Sequence, residues 1–335
     1  MYKFAIIGCG RIAHRHAENI MRVGKLVSVC DIDKNKADDF GALYNSKAWY
    51  SIDDLLKQEK EIDVICVCTP NGLHAEHSIK SLQGGKHVLC EKPMCIAMEA
   101  AWSMIDTAHF FRRKLYIIKQ NRFNAPIQFV KKLLDDGKLG KISSFQLNCF
   151  WNRPQQYYDG GWRGSKIMDG GLLYTQFSHF IDLLYWFLGD VEEVTGYRKN
   201  SGMRNYLEFE DTGTAILKMK TGALGNINYT INSFKRNVEG SFALFGEKGS
   251  IKIGGQYLNT IEWQSLDENI QFENEQTTKA NDYGFYTGSM SNHHKVYDEF
   301  IKALDNKPND LPKAGEALKT IEIIRKIYKA SGEVE

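Results

Sequence analysis

The order of apolar and polar positions divides the chain into two regions. Over residues 1–121, short apolar segments alternate with amphipathic ones, which is typical of a parallel β-sheet covered by helices on both faces. The predicted strands are Lys3–Gly8, Leu26–Cys30, Asp63–Cys68, His87–Glu91 and Leu115–Lys119. The predicted helices between them cover residues 11–23, 34–43, 72–84 and 97–111.

A second region begins at Arg122, where successive strands with short turns replace the alternation. The pattern predicts a helix over 126–135, a strand over 142–151, and one continuous helix over about 170–188. Further strands are predicted at 206–219, 223–233, 239–245 and 250–253, a surface loop at 266–282, and helices at 290–305 and 312–330. We therefore expect an α/β protein in which residues 122–335 form an α+β domain with a mainly antiparallel open sheet.

Length and composition narrow the class of protein. A chain of 335 residues is too long for one compact core, so two domains are expected. With 43% hydrophobic and 25% charged residues, the composition is that of a folded protein and excludes a mainly disordered chain. The net charge of +2 gives no reason to expect nucleic acid as a partner. No apolar run approaches the ~20 residues that span a bilayer, and the N-terminus has the pattern of a strand rather than a signal peptide. We expect a cytoplasmic protein with no membrane partner.

The cysteines give no indication of a metal site. There are seven of them, an odd number, and most lie in or beside predicted strands, as small buried residues of a reducing compartment do. Cys66 and Cys68 would share one face of a strand, but no second Cys or His pair lies at zinc spacing. We therefore expect no metal.

A glycine-rich turn, Gly8-Cys9-Gly10-Arg11-Ile12-Ala13, follows the first predicted strand and opens the first predicted helix. Gly8 permits the tight turn, Gly10 lets the backbone approach a pyrophosphate, and Ala13 lets helix and strand pack closely. The helix N-terminus supplies N–H groups and partial positive charge for phosphates. The alternative is a plain strand–turn–helix without a ligand.

An acidic residue completes this pattern. Asp31 ends the second predicted strand, where a carboxylate accepts hydrogen bonds from the adenosine ribose and repels a 2′-phosphate. The sequence therefore favours NAD over NADP, although Lys34 lies close behind. A solvated turn aspartate is the alternative.

Two further motifs follow later strands, at the sheet edge where open parallel sheets bind ligands. They are Thr69-Pro70-Asn71-Gly72-Leu73-His74 and Glu91-Lys92-Pro93. With the glycine turn, in this order and spacing, they resemble the glucose–fructose oxidoreductase and inositol dehydrogenase (Gfo/Idh/MocA) family over essentially the whole chain. The resemblance implies an NAD-binding Rossmann domain over 1–121, a substrate-binding domain over 122–335 that also forms the interface of a homodimer or homotetramer, and a cis bond before Pro93.

The resemblance also implies which residues contact NAD. They are Gly8, Gly10, Arg11, Ile12, Asp31, Thr69, Asn71, His74, Glu91, Lys92, Gln120, Trp162 and Arg163.

The second region extends the resemblance. Asp169-Gly170-Gly171 leads into Thr175, His179 and Asp182, similar to the family's glycine pair followed by a polar residue, His and Asp. At ~100° per residue, these three polar residues would fall on one stripe of the expected helix. The family commonly has Asp or Asn where this chain has Thr175, so a charged base is not expected at that position.

Oxidation of a secondary alcohol requires a hydride acceptor and a base for the hydroxyl proton. Lys92 resembles the family's lysine that contacts the reacting hydroxyl, and an imidazole such as His179 has a pKa near neutrality. The predicted catalytic residues are Lys92, which orients and polarises the hydroxyl, His179, which takes the proton, and Thr175, which hydrogen-bonds the substrate. A surface lysine and a structural histidine are the alternatives.

The segment 151–164 indicates the substrate class. Its aromatic rings beside arginines suit a sugar that carries anions, and it is similar to a subgroup of the family that oxidises C3 of UDP-N-acetylglucosaminuronic acid for bacterial surface polysaccharides. Some of that subgroup reoxidise bound NADH with 2-oxoglutarate, which is therefore a candidate reoxidant. The predicted substrate-binding residues are Lys92, Arg122, Arg153, Tyr157, Tyr158, Arg163, Thr175, Gln176 and His179.

The predicted cofactor-binding, catalytic and substrate-binding residues are also compatible with three other functions. They are a dehydrogenase of another sugar or inositol, a non-catalytic NAD-dependent sensor, and an NAD-dependent glycosidase that oxidises C3 transiently.

Overall fold

The computed structural model describes residues 1–159, 161–203, 206–267, 270–273 and 280–332. The chain forms two compact units. One contains Met1–Lys119 and His293–Ile321, and the other contains Gln120–Asn292 and Glu322–Glu335. The expected boundary at 121/122 lies two residues from the first of these divisions. The predicted assignment of all of 122–335 to a second domain differs from the structure, because His293–Ile321 belongs to the first unit.

Alternating strands and helices build the first part of the first unit. They are Lys3–Ile7 (β1), Arg11–Val23 (α1), Lys25–Cys30 (β2), Lys34–Leu43 (α2), Lys47–Trp49 (β3), Ile52–Gln58 (α3), Val64–Val67 (β4), His74–Gln83 (α4), His87–Cys90 (β5), Met98–Phe110 (α5) and Leu115–Ile117 (β6). All strands are parallel, in the order β3-β2-β1-β4-β5-β6. This arrangement confirms the predicted Rossmann-like sheet. The strand order reverses at β1, so the carboxyl ends of β1 and β4 lie side by side at the position where such sheets bind ligands.

The sequence pattern missed β3 and α3. β3 has three residues and α3 has seven, so neither is long enough to show a clear period. The α3 helix begins at a capping residue instead, since the Ser51 hydroxyl accepts a hydrogen bond from the Asp54 N–H.

The second unit is mostly an antiparallel sheet with short helices. Its elements are Ala125–Asp135 (α6), Ile142–Phe150 (β7), Gln155–Tyr158 (α7), Leu172–Thr175 (α8), Ser178–Leu188 (α9), Val191–Lys199 (β8), Thr212–Met219 (β9), Leu224–Thr230 (β10), Glu239–Gly246 (β11), Gly249–Gly254 (β12), Thr260–Leu266 (β13), Ala280–Asp282 (β14) and Thr287–Met290 (β15). Seven strands pair in the order β13-β12-β11-β7-β10-β9-β8, and only β7 and β10 are parallel. The predicted mainly antiparallel sheet is confirmed.

Three details of this sheet differ from the sequence prediction. Strands β8 and β13 were not predicted, and the strand expected over 206–219 begins only at Thr212. The expected surface loop at 266–282 ends in strand β14, while residues 268–269 and 274–279 lie outside the described residues.

The two faces of the seven-stranded sheet differ in exposure. Leu217, Ile227, Leu147 and Phe242 are buried on one face, where the rings of Phe242 and Phe187 of α9 lie 5.4 Å apart. The alternate positions point the other way, and on that face Ile216 is 60% exposed. Other large apolar residues exposed on it are Tyr197, Leu224, Phe245 and Trp263.

The continuous helix expected over 170–188 is wrong. The structure breaks it after Thr175, because the Phe177 N–H bonds to Leu172 O, five residues back, and adds one residue to the turn. Phe177 then starts α9 with a backbone outside the helical region (φ −115°, ψ 8°). Thr175 and His179 therefore belong to different helices, and the single stripe inferred for them does not exist.

Two long helices follow, His293–Leu304 (α10) and Ala314–Ala330 (α11). Tyr297 of α10 lies 6.3 Å from Phe4 of β1 between ring centroids, and Arg22 of α1 forms an ion pair with Asp298. These contacts explain why α10 belongs to the first unit. Among the described helices, none has the length and apolar character needed to cross a membrane.

Candidate active site

Gly8 and Gly10 are required for different reasons. Gly8 has a φ of +94°, and a Cβ atom there would lie 2.7 Å from the carbonyl oxygen of Cys68, so only glycine fits between β1 and β4. A Cβ at Gly10 would meet no described atom within 4 Å. The packing of the protein leaves room for a side chain at Gly10. A pyrophosphate bound against the start of α1 would fill that room and exclude the side chain. The residues present therefore fit a dinucleotide.

Asp31 is fixed against the same turn. Its Oδ2 accepts a hydrogen bond from the Cys9 N–H (2.8 Å), and its Oδ1 accepts one from the Asp33 N–H (2.9 Å). The carboxylate is half-buried, and each oxygen retains a lone pair for a further donor. Asp31 thus combines a fixed position with capacity for ribose hydroxyls.

His74 connects the two loops that follow β4 and β5. Its Nδ1 lies 2.6 Å from Pro93 O, and its Nε2 lies 2.8 Å from Thr69 O. Burial lowers the pKa of His74, which favours the neutral ring with one N–H to donate. Both ring nitrogens face backbone carbonyls, and the predicted contact of His74 with the cofactor stays a prediction. The Lys92–Pro93 bond that this histidine holds is cis, as expected.

Glu91 is buried and bonds to polar groups of the first unit. Its Oε1 faces His16 Nε2 at 2.9 Å and His293 Nε2 at 3.2 Å, and its Oε2 accepts the Lys92 backbone N–H at 3.1 Å. The predicted contact of Glu91 with NAD stays a prediction. Sequence reasoning missed both histidines, since they lie 75 and 202 residues from Glu91 along the chain.

Two predicted site residues in the second unit are committed to internal bonds. Arg122 is buried and pairs with Asp182 through Nε–Oδ2 (2.8 Å) and Nη2–Oδ1 (2.9 Å), with Trp186 stacked 4.9 Å from the guanidinium. Arg122 is therefore one half of a buried ion pair, and its predicted contact with the substrate stays a prediction. Gln120 is also buried, and its Nε2 donates to Ser289 Oγ at 2.8 Å.

The structure brings Arg153, Gln176 and Tyr157 together. Arg153 Nε donates to Gln176 Oε1 (2.6 Å), and Gln176 Nε2 donates to the Tyr157 hydroxyl (2.8 Å). The Arg153 guanidinium also lies over the rings of Trp151 (4.7 Å) and Tyr286 (5.2 Å). It is buried, and it forms no ion pair with any described carboxylate.

A second arginine, Arg163, also lies close to the Tyr157 ring. The Arg163 guanidinium is 4.7 Å from that ring and 4.5 Å from the Trp162 ring, and its buried Nε has no hydrogen-bond partner among the described residues. Tyr158 is buried and packs edge-on against Tyr157 at 4.9 Å. Two guanidinium groups therefore lie near one tyrosine ring.

Thr175 and His179 are both buried in the second unit. The Thr175 hydroxyl donates to Asp169 O (3.1 Å) and contacts the Asp169 carboxylate, whose Oδ2 accepts the Gly164 N–H (2.8 Å). Asp169 belongs to the Asp169-Gly170-Gly171 motif, and sequence reasoning missed its contact with Thr175. Lys92 belongs to the first unit and His179 to the second.

One group among the described residues has the composition of a metal site. The ligand atoms of His16, Glu91 and His293 lie within 4.8 Å of one another, and all three side chains are buried. All seven cysteines are free.

Comparison with known proteins identifies the family. Residues 2–116 match the Gfo/Idh/MocA model described as an oxidoreductase family with an NAD-binding Rossmann fold, and residues 131–334 match its C-terminal alpha/beta domain. The chain therefore belongs to the Gfo/Idh/MocA oxidoreductase family, as its motifs predicted. The first match also confirms the predicted NAD-binding domain.

Among solved structures, the chain is similar to two WlbA dehydrogenases, each in complex with NADH and UDP-GlcNAcA. The enzyme from Chromobacterium violaceum is 34% identical with a TM-score of 0.90, and the alignment covers 98% of this chain and 93% of that one. The enzyme from Bordetella pertussis is 33% identical with a TM-score of 0.89, over 98% and 96%.

Glucose-6-phosphate 3-dehydrogenase of Bacillus subtilis is a curated relative, 31% identical over 58% of this chain. The alignment spans 56% of the length of that relative, and for the next two relatives it spans 67% and 51%.

Proposed function

We propose that this protein is an NAD-dependent dehydrogenase that oxidises the C3 hydroxyl of UDP-N-acetylglucosaminuronic acid. The observation that carries the proposal is the Arg153 guanidinium, which is buried without an ion-pair partner among the described residues, together with the Arg163 guanidinium near the same Tyr157 ring. The similarity to WlbA enzymes bound to UDP-GlcNAcA supports the same substrate. The product would enter the synthesis of bacterial surface polysaccharides, and the free cysteines suit a cytoplasmic location.

An unpaired buried cation is costly, and this cost indicates an anionic ligand. A guanidinium remains charged even where burial lowers its pKa, as it does for Arg153. Removing such a charge from water without a counter-ion costs several kcal/mol on the order-of-magnitude scale for buried ions. A uronate carboxylate or a diphosphate offers two acceptor oxygens to the planar donors of arginine and would offset that cost. The aromatic rings around them suit the apolar faces of a sugar.

The reaction divides between the cofactor and the protein's own residues. NAD, when bound, accepts the hydride that leaves the carbon atom. Lys92 donates a hydrogen bond to the reacting hydroxyl and polarises it, and His179 takes the hydroxyl proton as the C=O bond forms. Thr175 hydrogen-bonds the sugar through its hydroxyl. The balanced step converts a secondary alcohol and NAD⁺ into a ketone, NADH and a proton.

The cofactor is regenerated in one of two ways within this proposal. NADH is released, or 2-oxoglutarate accepts a hydride and a proton and becomes 2-hydroxyglutarate. The second route would leave NAD on the protein through successive turnovers, as in the subgroup that the sequence resembles.

The test is incubation of the purified protein with NAD and UDP-GlcNAcA, with and without 2-oxoglutarate, followed by mass spectrometry. We expect a product two mass units lighter than the substrate, and 2-hydroxyglutarate if the second route operates. UDP-N-acetylglucosamine, which lacks the carboxylate, is the control substrate. We expect Arg163→Gln to raise the KM for the uronate by about tenfold, the value of one charge-assisted hydrogen bond, while Lys166→Gln on the same loop leaves it unchanged. Absence of turnover with UDP-GlcNAcA overturns the substrate assignment.

A second candidate is a dehydrogenase of another sugar or inositol. The relatives named glucose-6-phosphate 3-dehydrogenase and D-glucoside 3-dehydrogenase (Escherichia coli, 28% identical over 72% of this chain) support it. Glucose 6-phosphate, a glucoside and myo-inositol belong in the same assay. Release of a free sugar would instead indicate a glycosidase, and NAD binding without turnover of any of them would indicate a sensor.

A further inference from the structure

A buried polar cluster surrounds Glu91 at the end of β5. His16 of α1 and His293 of α10 both face Glu91 Oε1, at 2.9 and 3.2 Å. The other nitrogen of His16, Nδ1, lies 2.8 Å from the hydroxyl of Tyr297, which in turn lies 3.3 Å from Cys66 Sγ. All five side chains belong to the first unit and are buried. We call His16, Glu91 and His293 the carboxylate clamp.

Burial and hydrogen bonding have opposite effects on the pKa values within the carboxylate clamp. Burial would raise the pKa of Glu91, but the hydrogen bonds from His16 and His293 outweigh it and hold the pKa well below its ordinary value. Burial also opposes the charged form of His16, whereas the neighbouring Cys68, Cys66 and Glu91 raise the pKa of His16 well above its ordinary value. For His293, burial dominates and lowers the pKa. The hydrogen bonds from the two imidazoles thus favour the charged form of the Glu91 carboxylate.

The carboxylate clamp contacts the backbone of Lys92, the proposed catalytic lysine. With Oε1 held by two imidazoles, Glu91 Oε2 accepts the backbone N–H of Lys92 at 3.1 Å. Both carboxylate oxygens are therefore occupied by fixed donors. A carboxylate released from these donors would be free to rotate, and the positive charge of the next residue would attract it.

We infer that His16 and His293 are positioning residues for Lys92, which hold the Glu91 carboxylate so that it orients the Lys92 backbone and cannot pair with the Lys92 ammonium. This inference rests on the proposed function, in which Lys92 polarises the reacting hydroxyl. It assigns a role to His293, which no motif of the sequence marks. It also gives a reason for the contact between His293 and Glu91, which are 202 residues apart along the chain.

Direct hydrogen bonds favour this role over metal binding at the same three residues. The distances from Glu91 Oε1 to the two imidazole Nε2 atoms, 2.9 and 3.2 Å, are those of ordinary N–H···O hydrogen bonds. Glu91 Oε2 accepts a separate hydrogen bond from the Lys92 N–H. A divalent ion between them would require both imidazoles neutral and would displace the proton that each bond needs. Metal analysis of the purified protein distinguishes the two.

The experiment compares three single variants of α10. His293→Leu removes the donor, His293→Gln replaces it with a neutral amide N–H, and Phe300→Leu is the control. Phe300 is fully buried on the same helix, and its ring packs on Tyr116 at 5.9 Å, away from the clamp. Thermal stability, kcat, the Kd for NAD and metal content are measured for each. Hydrogen exchange of the Lys92 amide, read by mass spectrometry without substrate, is measured in parallel.

We expect His293→Leu to lower kcat by about tenfold or more and to accelerate exchange of the Lys92 amide, with the Kd for NAD unchanged. His293→Gln should restore both within about threefold, the effect of one hydrogen bond at most. Phe300→Leu should lower stability without either change. The inference is overturned if His293→Leu behaves as wild type, if His293→Gln is no better than His293→Leu, if Phe300→Leu has the same effect, or if a stoichiometric metal is found. Should the wild type not turn over UDP-GlcNAcA, the proposed function fails, and the exchange data still decide whether the clamp fixes Lys92.

Discussion

The hydroxyl of Thr175 donates a hydrogen bond to the backbone carbonyl of Asp169 (3.1 Å) and contacts the carboxylate of the same residue. The family commonly has Asp or Asn at the position of Thr175. In this chain the Thr175 hydroxyl contacts a carboxylate from elsewhere, that of Asp169, six residues earlier. The same carboxylate accepts the Gly164 N–H and lies close enough to favour the charge of Arg163. Thr175 is therefore linked through Asp169 to the loop that carries the predicted anion-binding arginine.

The first prediction concerns this link. Thr175→Val preserves the shape of the side chain but removes the hydroxyl that donates to the buried Asp169, at a cost of about 1–3 kcal/mol. We expect turnover to fall roughly tenfold, which corresponds to about 1.4 kcal/mol, and the melting temperature to fall as well. Thr175→Ser keeps the hydroxyl and should remain near wild type in steady-state kinetics and thermal unfolding. Equal behaviour of the Val and Ser variants would show that the hydroxyl is not needed.

The second prediction concerns cofactor choice. Asp31 would face a 2′-phosphate with a carboxylate already fixed by Cys9 N and Asp33 N. We expect calorimetric titration to give a Kd for NAD at least about tenfold below that for NADP, a difference on the order of 1.4 kcal/mol. Asp31→Ser should abolish most of that preference. Asp33→Ser, at the N-cap of α2, should not change it. Equal affinities in the wild type would contradict the role of Asp31.

The third prediction concerns assembly. Apolar residues on the exposed face of the seven-stranded sheet lie on neighbouring strands, with Ile216 of β9 paired to Thr195 of β8 and to Asn226 of β10. Large exposed apolar patches of this kind are characteristic of interaction sites, and we expect a homodimer or homotetramer by light scattering at micromolar concentration. Ile216→Glu should dissociate it by burying a charge in the interface, whereas Lys57→Glu on α3 should not. A wild-type protein of monomeric mass would exclude this assembly.

The sequence predicted most of the fold because the first unit follows its hydrophobic period closely. Helix α1 begins and ends at the predicted residues, and β1, β4 and β5 match within one residue at each end. The period failed where hydrogen bonding overrides it, as at Phe177, where one extra residue interrupts a sequence that is apolar throughout. It also gave no reason to place α10 with the first unit, since that placement depends on contacts such as Tyr297 with Phe4.

The candidate site was predicted by residue type better than by partner. The glycine turn, Asp31, Lys92 and the arginines were found through motifs, because each motif is continuous in sequence. The ion pair of Arg122 was not predicted, because its carboxylate partner, Asp182, lies 60 residues away along the chain and only folding brings the two together. His16 and His293 were missed for the same reason.

The last prediction concerns catalysis. Lys92→Met retains much of the side-chain length and removes the ammonium donor, and we expect turnover to fall by about 10²-fold or more, the usual scale for an acid–base group. The affinity for NAD should change little, because Gly10 and Asp31 carry the diphosphate and adenosine contacts of the proposal. His179→Ala should also lower turnover. Since both residues act on one proton, the loss in the double variant should be smaller than the product of the single losses. Single-turnover kinetics with UDP-GlcNAcA measures all three, and a Lys92→Met protein with near-normal turnover would rule out the assigned role of the lysine while leaving the fold and the cofactor site intact.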